Sequence, residues 1–565
     1  MRSKGILIVI VAFWALAATP WVLADDLADL AREFWTWRAA TQPFSGDDVP
    51  RLERPAGTPD WSRAAIEARR GRLAEFEKRW EALDPSGMSV SWQVDRRLMG
   101  SAIARVRWEI EILRSWERDP TFYVDQALCP YFESLLRPPP FDRQRSAEIV
   151  GRLEAIPQTI ASAKVNLRYA VGPLTRLAAA SLENIRPRLQ ESVRAVKPLL
   201  AAESRGRIDT AAAKALAALE PWREWLDAAA STRPVNSAVG RDGYLFFLRE
   251  VALLPVTPEE LLTMARGEWA RAVSLEVIDE TRRPPSAPPA PTPDLPALLA
   301  RAAKDEESIR RFLDEKQILT IPQWVARYRF QMMPDYLAPV ADFGETDDLT
   351  SPSRRTENAS RYIAKPSGNL SYFVASMFRD PRPLIAHEGV PGHFFQLVVS
   401  WAQEDPIRRH YYDSAPNEGL AFYTEEMLMQ AGLFDDSPAT RGMVANLMSL
   451  RARRVEVDVK LALGQLTVDQ ATEYLEKKVP MDRETARSEA AFFASHPGQA
   501  ISYLVGKLQI LDLLADAQRA QGDKFDLRAF HDFVWKNGNV PIALQRWEYL
   551  GDATDVPSHA ARVAR

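Results

Sequence analysis

The sequence predicts a mainly α-helical protein carrying a small β-sheet, and two observations lead there. Apolar residues recur at spacings of three and four through residues 26–233, as in 66–83, 98–116 and 147–165, which is the period of helices with one buried face. Strand signals are sparse over the same stretch and beyond it. With 565 residues, 46% of them hydrophobic and 26% charged, the chain is long and apolar enough to bury a large core.

At the N-terminus, Arg2 and Lys4 precede an apolar run over residues 6–18. Val22-Leu23-Ala24 then places a small residue before Asp25-Asp26. That is the layout of a secretory signal peptide over residues 1–24, with cleavage expected after Ala24. The apolar run is shorter than the ~20 residues a spanning helix needs, and no later stretch qualifies. The expected protein is therefore periplasmic or secreted, without an integral membrane segment once the leader is removed. Cys129 is the only cysteine, so an intramolecular disulfide is excluded and no cysteine stands near the leader for acylation. Lys and Arg number 72 against 76 Asp and Glu, a formal charge of -4 without a basic stripe. Nucleic acid is not an expected partner.

Residues 25–235 form the expected N-terminal helical region, with Pro138-Pro139-Pro140 as a break. Its Arg-rich and Glu-rich stretches read as solvated helix faces. Val239-Gly240-Arg241-Asp242-Gly243-Tyr244 makes a turn near the start of a second region, 236–565. Inside it, residues 284–296 are proline-rich, and a helix cannot continue through them. They read as an extended connector. The best strand candidate is 370–376, Leu-Ser-Tyr-Phe-Val-Ala-Ser, bounded by Ser367-Gly368-Asn369 and Arg379-Asp380-Pro381.

Histidine is the unevenly used residue. The chain has six, none before His387, and His387 and His393 fall within seven residues. In the zinc-peptidase motif H-E-x-x-H, histidines at i and i+4 share a helix face and the glutamate between them polarises a water. Here His387-Glu388 has the right opening, but position i+4 is Pro391 and the second histidine is at i+6. An undistorted helix turns i+4 by about 40° and i+6 by about 120° from the first histidine, so it cannot aim both at one ion. Pro391-Gly392 is a pair that breaks or bulges a helix, and such an irregularity could return His393 to the ligand side; the alternative is a helix start with two histidines satisfied by other partners.

About 25 residues on, Asn417-Glu418-Gly419-Leu420-Ala421-Phe422-Tyr423-Thr424-Glu425 opens another helix. Peptidases of the glutamate-zincin type take a third ligand from such a helix, which makes Glu418 the candidate. The alternative for Glu418 is an acid stabilised at a helix N-terminus. Glu425 lies two turns along the same face, and it and Tyr423 are candidates for orienting a ligand from behind. A third segment, Ser495-His496-Pro497-Gly498-Gln499 through Tyr503, starts a helix whose first turns present His496, Gln499 and Tyr503. Amide hydrolysis develops negative charge on the carbonyl oxygen, and Tyr503, with His496 second, is the candidate donor to it. A buried structural tyrosine explains Tyr503 equally well. Asn369, just before the candidate strand, Tyr372 on it, and Gln499 are the candidate substrate contacts.

Taken together, these segments resemble the bacterial domain-of-unknown-function family DUF885, a helical group similar to zincin metallopeptidases. Its H-E-x-x-P-G-H motif matches His387 to His393. Its E-G-W-A-x-Y-x-E motif matches Glu418 to Glu425, with Leu420 in place of tryptophan. Its P-G-Q-A-x-S-Y-x-x-G motif matches Pro497 to Gly506 without a gap. Leu450-Arg451-Ala452-Arg453-Arg454 with Asp458, and Phe530-His531-Asp532-Phe533 with Gly538 and Pro541, agree further. The resemblance is firm over residues 239–550 and looser before them. Two departures concern the substrate side: Val459-Lys460-Leu461-Ala462-Leu463 lacks a histidine usual in the family, and Ala491-Phe492-Phe493 stands where Arg-Tyr is frequent.

The resemblance implies a large helical, zincin-like (gluzincin-type) fold with its small sheet near the active site, and a zinc-dependent peptidase acting on a peptide substrate. In that reading His387, His393 and Glu418 hold one Zn²⁺ and leave a position for water. Glu388 is the general base, Tyr503 and His496 steady the oxyanion, and strand 370–376 aligns the substrate. Two other readings are a zincin-like binding or scaffold protein without turnover, and a zinc hydrolase of a non-peptide amide or ester.

Overall fold

The computed structural model describes residues 20–45, 53–282, 292, 294–366, 370–479 and 481–557. Its helices follow the apolar period closely. In Arg63–Glu81, Ile66, Leu73, Phe76 and Trp80 are buried on one face, and the Ser62 hydroxyl accepts from the Ala65 N–H at 3.3 Å to start the helix. Each of those side chains contributes on the order of 1.5–3 kcal/mol on burial, and the cap about 1 kcal/mol. Val90–Arg107 runs on through a π-turn at Trp108–Leu113, and Arg143–Asn166 follows Pro120–Leu136 after the triple-proline break. Gly240, at φ 83°, opens the helix Arg241–Phe246. Of the described residues, 72% are helical.

One apolar core joins the N-terminal helices, from Leu27 to Leu226, but Met333, Leu337, Tyr362, Val540 and Leu544 from the second half complete it. A second core lies under the sheet and the histidine segment, with Tyr328, Phe394, Phe422 and Trp535 among its members. The sheet has three strands, β1 (Tyr328–Met332), β2 (Asp347–Asp348) and β3 (Ala359–Ile363), in the order β1-β3-β2. β3 runs parallel to β1, pairing Tyr328 with Ala359, and antiparallel to β2, pairing Arg361 with Asp347. Tyr328 packs under Gly389, so the sheet floors the histidine segment.

One expected element is different. Residues 370–376 are not a strand: the chain forms the helix Tyr372–Arg379, with the Ala375 N–H donating to the Ser371 carbonyl at 2.8 Å. The apolar residues here are Phe373, Val374, Met377 and Phe378, a three-and-four spacing that buries Met377 and Phe378 together. Their backbone groups turn inward along the helix, which removes this segment as a strand for pairing with substrate. Asn369 lies outside the described residues, as do residues 1–19 of the expected leader and most of the proline-rich stretch. Among the described residues no helix is long and apolar enough to cross a membrane. Cys129 is buried and its thiol donates to the Phe343 carbonyl oxygen.

The helices Ser414–Ala431 and Gln499–Gln521 cross at their glycines. A Cβ on Gly419 would overlap Gly506, and one on Gly506 would overlap the Ala415 carbonyl. Backbone presses on backbone there, so neither partner has a side chain that can swing aside. Gly506→Ala is therefore expected to cost about 1–3 kcal/mol or more, read as a lowered urea midpoint. An unchanged midpoint would show that the crossing relaxes freely.

Candidate metal centre

His387 sits in a π-turn, Ile385–Gly389. The chain then leaves helical geometry through Val390 and a cis Val390–Pro391 peptide, and a new helix, His393–Trp401, starts at the second histidine. The two histidines thus stand on separate segments, which removes the angular mismatch of an i+6 spacing. Gly392 makes this possible, because a Cβ there would overlap the His387 carbonyl. The Trp535 indole donates to the Pro391 carbonyl at 2.7 Å and holds the break. The imidazole rings end 4.9 Å apart with planes at 86°.

Glu418 comes from the Ser414–Ala431 helix, which Asp413 caps by accepting from the Ala415 N–H at 2.9 Å. Residues 414–426 of that helix are all buried. Two hydrogen bonds lock it to the histidine segment: the Thr424 hydroxyl donates to the Ala386 carbonyl at 3.1 Å, and the Asn417 amide to Gln396 Oε1 at 2.7 Å. Glu418 Oε2 then lies 3.5 Å from His387 Nε2 and 3.3 Å from His393 Nε2.

Three side chains each offer one ligand atom, all within 4.8 Å of one another. Both nitrogens of His393 and both oxygens of Glu418 are buried without a hydrogen-bond partner among the described residues. Buried polar atoms are almost always paired, because an unpaired one costs ~1–3 kcal/mol and a buried charge more. Donors bound about 2.0–2.1 Å from one tetrahedral ion lie roughly 3.3 Å apart, close to the 3.3 and 3.5 Å between Glu418 Oε2 and the two imidazole nitrogens. The donor set fits a zinc-type cation, and His387, His393 and Glu418 are the residues that would hold it.

Behind His387, Nδ1 is 2.6 Å from Glu425 Oε1. Arg451 grips the same carboxylate at 2.6 and 3.2 Å, its guanidinium over the Phe422 ring. With the Glu425 carboxylate accepting the Nδ1 proton, Nε2 faces Glu418 and His393 and would offer its lone pair once a cation displaces its own proton. Burial by itself opposes charge on all of these groups. At His387 the Glu418 and Glu425 carboxylates outweigh burial and raise the imidazole to about 9. At Glu418 the two histidines outweigh it and hold the carboxyl well below its usual range. At Glu425, Arg451 leads in outweighing burial and lowering the carboxyl. The field at the cluster favours positive charge between these groups, whether a proton or a metal ion carries it.

Glu388 lines an open cleft of about 1340 Å³ of empty space together with His387, Tyr503, Arg454 and Gln499. Its Oε1 is 3.6 Å from the Arg361 guanidinium of β3, which also pairs with Asp347. The Tyr503 ring stacks on His387 at 6.3 Å and 18°, with Arg451 and Arg454 each 5.5 Å from its centroid. Gln499 accepts from the Ser414 hydroxyl at 2.8 Å. Tyr372 packs beside the cleft against Phe373. The cleft thus gathers His387, Glu388, Glu425, Tyr503 and Gln499, with His393 and Glu418 beneath it.

Two expected residues fall elsewhere. His496 stacks on Phe492 at 4.6 Å and lines the neighbouring cavity, because Gly498, at φ 97°, turns the chain between it and Gln499. The Tyr423 hydroxyl meets His531 Nε2 at 2.8 Å, while His531 Nδ1 donates to the Ile318 carbonyl at 2.9 Å. Burial lowers His531 to about 4, so it stays neutral and accepts from Tyr423. That pair serves the core. Arg451 and Arg361 are the cleft residues that sequence reasoning missed. Arg451 lies in a stretch matched by the family resemblance, but nothing in the sequence attached a role to it. Arg361 carried no signal at all.

Arg451→Met is expected to weaken metal binding about 10–100-fold, the usual cost of losing a partner behind a ligand. Competition titration with a zinc chelator measures it. An unchanged affinity would show that Glu425 orients His387 without Arg451.

Fold and site together define a large helical protein with a buried two-histidine, one-glutamate cluster at the foot of a cleft. The chain belongs to the DUF885 family, described as bacterial protein of unknown function, whose model matches residues 54–547. It is similar in structure to a candidate lipoprotein of unknown function from Shewanella oneidensis, with a TM-score of 0.68 and 19% identity, covering 94% of this chain and 100% of that one. A candidate lipoprotein from Colwellia psychrerythraea is similar with a TM-score of 0.73 and 17% identity, covering 95% of this chain and 99% of that one. At these identities the likeness shows a shared fold. No curated protein matches the chain.

Proposed function

We propose that the protein is an exported zinc-dependent peptidase of zincin-like type. The observation that carries this is the convergence of His387, His393 and Glu418, with buried unpaired donor atoms, directly beside the Glu388 carboxylate. Zinc, when bound, supplies the Lewis acidity that makes water a nucleophile near neutral pH and polarises the scissile carbonyl. Glu388 takes the proton from the attacking water and delivers it to the leaving amine. The Tyr503 hydroxyl donates to the oxygen that gains charge, and the guanidinium groups of Arg451 and Arg454 hold its ring in place. Arg361 keeps the Glu388 carboxylate on the cleft side of β3. Export accords with the leader-like N-terminal sequence and with the lipoprotein descriptions of the two similar structures.

Metal analysis of the purified protein, paired with a peptide-library digest, tests this reading. Bound zinc with cleavage that disappears in Glu388→Gln supports it. Bound zinc without any Glu388-dependent peptide cleavage would replace it with a binding or scaffold role, or with hydrolysis of a different amide or ester.

A further inference from the structure

A second cavity, with about 1560 Å³ of empty space including its mouth, lies against the cleft. Gln499 lines both. The two helices that build the metal centre run from one space to the other. Ser414 borders the cavity and Glu418 is one turn further along its helix; Gln499 borders it and Tyr503 is one turn further along the other. One turn is about 5.4 Å of rise, so residues of the cavity wall stand one helical turn from Glu418 and Tyr503.

Its walls are aromatic, with Trp35, Trp37, Trp61, Trp108, Trp116 and Phe122 among them. Its polar atoms are unbalanced. Arg69 is 6% exposed, its guanidinium sits 4.1 Å from the Trp61 ring centroid, and its Nε and Nη1 have no hydrogen-bond partner among the described residues. The indole N–H groups of Trp35 and Trp61 also lack a hydrogen-bond partner among the described residues. Asp60 is the acid whose charge bears most on Arg69, yet it accepts from neither its Nε nor its Nη1, and the other acids nearby, the cavity-lining Asp125 included, have interactions of their own. Glu109 is held by both arms of Arg38, Asp60 accepts from the Ser62 amide and hydroxyl, and Asp119 accepts from the Thr121 amide and hydroxyl. Stacking on Trp61 stabilises a cation only modestly, well short of the cost of burying an unpaired guanidinium. Every unpaired group named here is a donor, so the missing partner is an acceptor-rich anion with an apolar body.

We propose that this cavity is a carboxylate-recognition subsite that takes the free C-terminus and the terminal aromatic or apolar side chain of the peptide substrate, with Arg69 as its anion-binding residue. The subsite rests on the peptidase reading for its substrate and makes the enzyme one that releases a C-terminal fragment. Guanidinium suits this role because it pairs with a carboxylate through two parallel N–H donors.

The test uses full-length, zinc-loaded Glu388→Gln protein and an N-acetylated hexapeptide ending in phenylalanine, as the free acid and as the C-terminal amide. Quenching of the cavity tryptophans reports binding. The acid is expected to bind about tenfold or more tightly than the amide. Arg69→Gln added to that background is expected to level the two, and Arg69→Lys to restore part of the difference. Equal binding of acid and amide with Arg69 intact would overturn the subsite. So would a preference that survives in a folded Arg69→Gln protein. Where Arg69→Gln does not fold, the acid–amide comparison with Arg69 intact decides. Wild-type digestion separates the two claims. Tight acid-selective binding without turnover keeps the subsite and removes the peptidase reading; turnover that treats acid and amide alike does the reverse.

Discussion

Glu388→Gln is expected to lower peptide hydrolysis by about 10²–10⁴-fold, the usual contribution of a positioned general base, while leaving zinc content unchanged. The substitution keeps the size and shape of the side chain and removes only its capacity to take a proton. Glu388 is not among the three converging ligand residues, so the cluster has no reason to empty. The neighbouring Arg361, 3.6 Å away, retains its pairing with Asp347 and so keeps β3 in place. Zinc content by atomic spectroscopy and initial rates on a cleaved library peptide are the two readouts. Full hydrolysis by the metal-replete variant would remove Glu388 from the mechanism. Loss of zinc together with loss of activity would instead make it part of the metal-holding shell.

The second large effect is on metal binding itself. His387→Ala and His393→Ala are each expected to weaken zinc binding by well over the ~100-fold that marks loss of an outer partner, because each removes one of three donors. In wild type a bound metal is also expected to stabilise the fold. A ligand present at 1,000 times its dissociation constant contributes about 4 kcal/mol, and here it would also neutralise the buried Glu418 charge. Stripping zinc with a chelator should therefore lower the wild-type melting temperature, and adding zinc back should restore it. The His393→Ala protein should melt at one temperature with or without zinc. A wild-type transition indifferent to chelator and zinc would show that the cluster holds no ion.

Much of this centre was legible in the sequence, for a local reason. Helical period and breaker residues act over a few positions, so 66–83 and 147–165 announced their helices, and Pro391-Gly392 announced the interruption after His387. The spacing of Glu418 and Glu425 likewise placed two acids on one face of one helix. The strand expected at 370–376 failed on the same ground. Its β-favouring Tyr372, Phe373 and Val374 are outweighed by the burial of Met377 and Phe378 together, which only the neighbouring core decides. Propensity is a weak preference beside such packing.

By itself the sequence determined the class of the fold, the order of its three motifs and the residue types able to hold a cation. Tertiary structure decided which of those side chains meet. It seated His393 beside His387 across a broken helix and paired Tyr423 with His531 in the core. It turned His496 away from the cleft onto Phe492 and the wall of the neighbouring cavity, and it brought Arg451 behind Glu425 and Arg361 beside Glu388. These meetings join residues far apart in the chain, and they are set by burial and charge summed over the whole core. No window of neighbouring residues contains that information, whereas every helix start and break is written within a turn or two of itself.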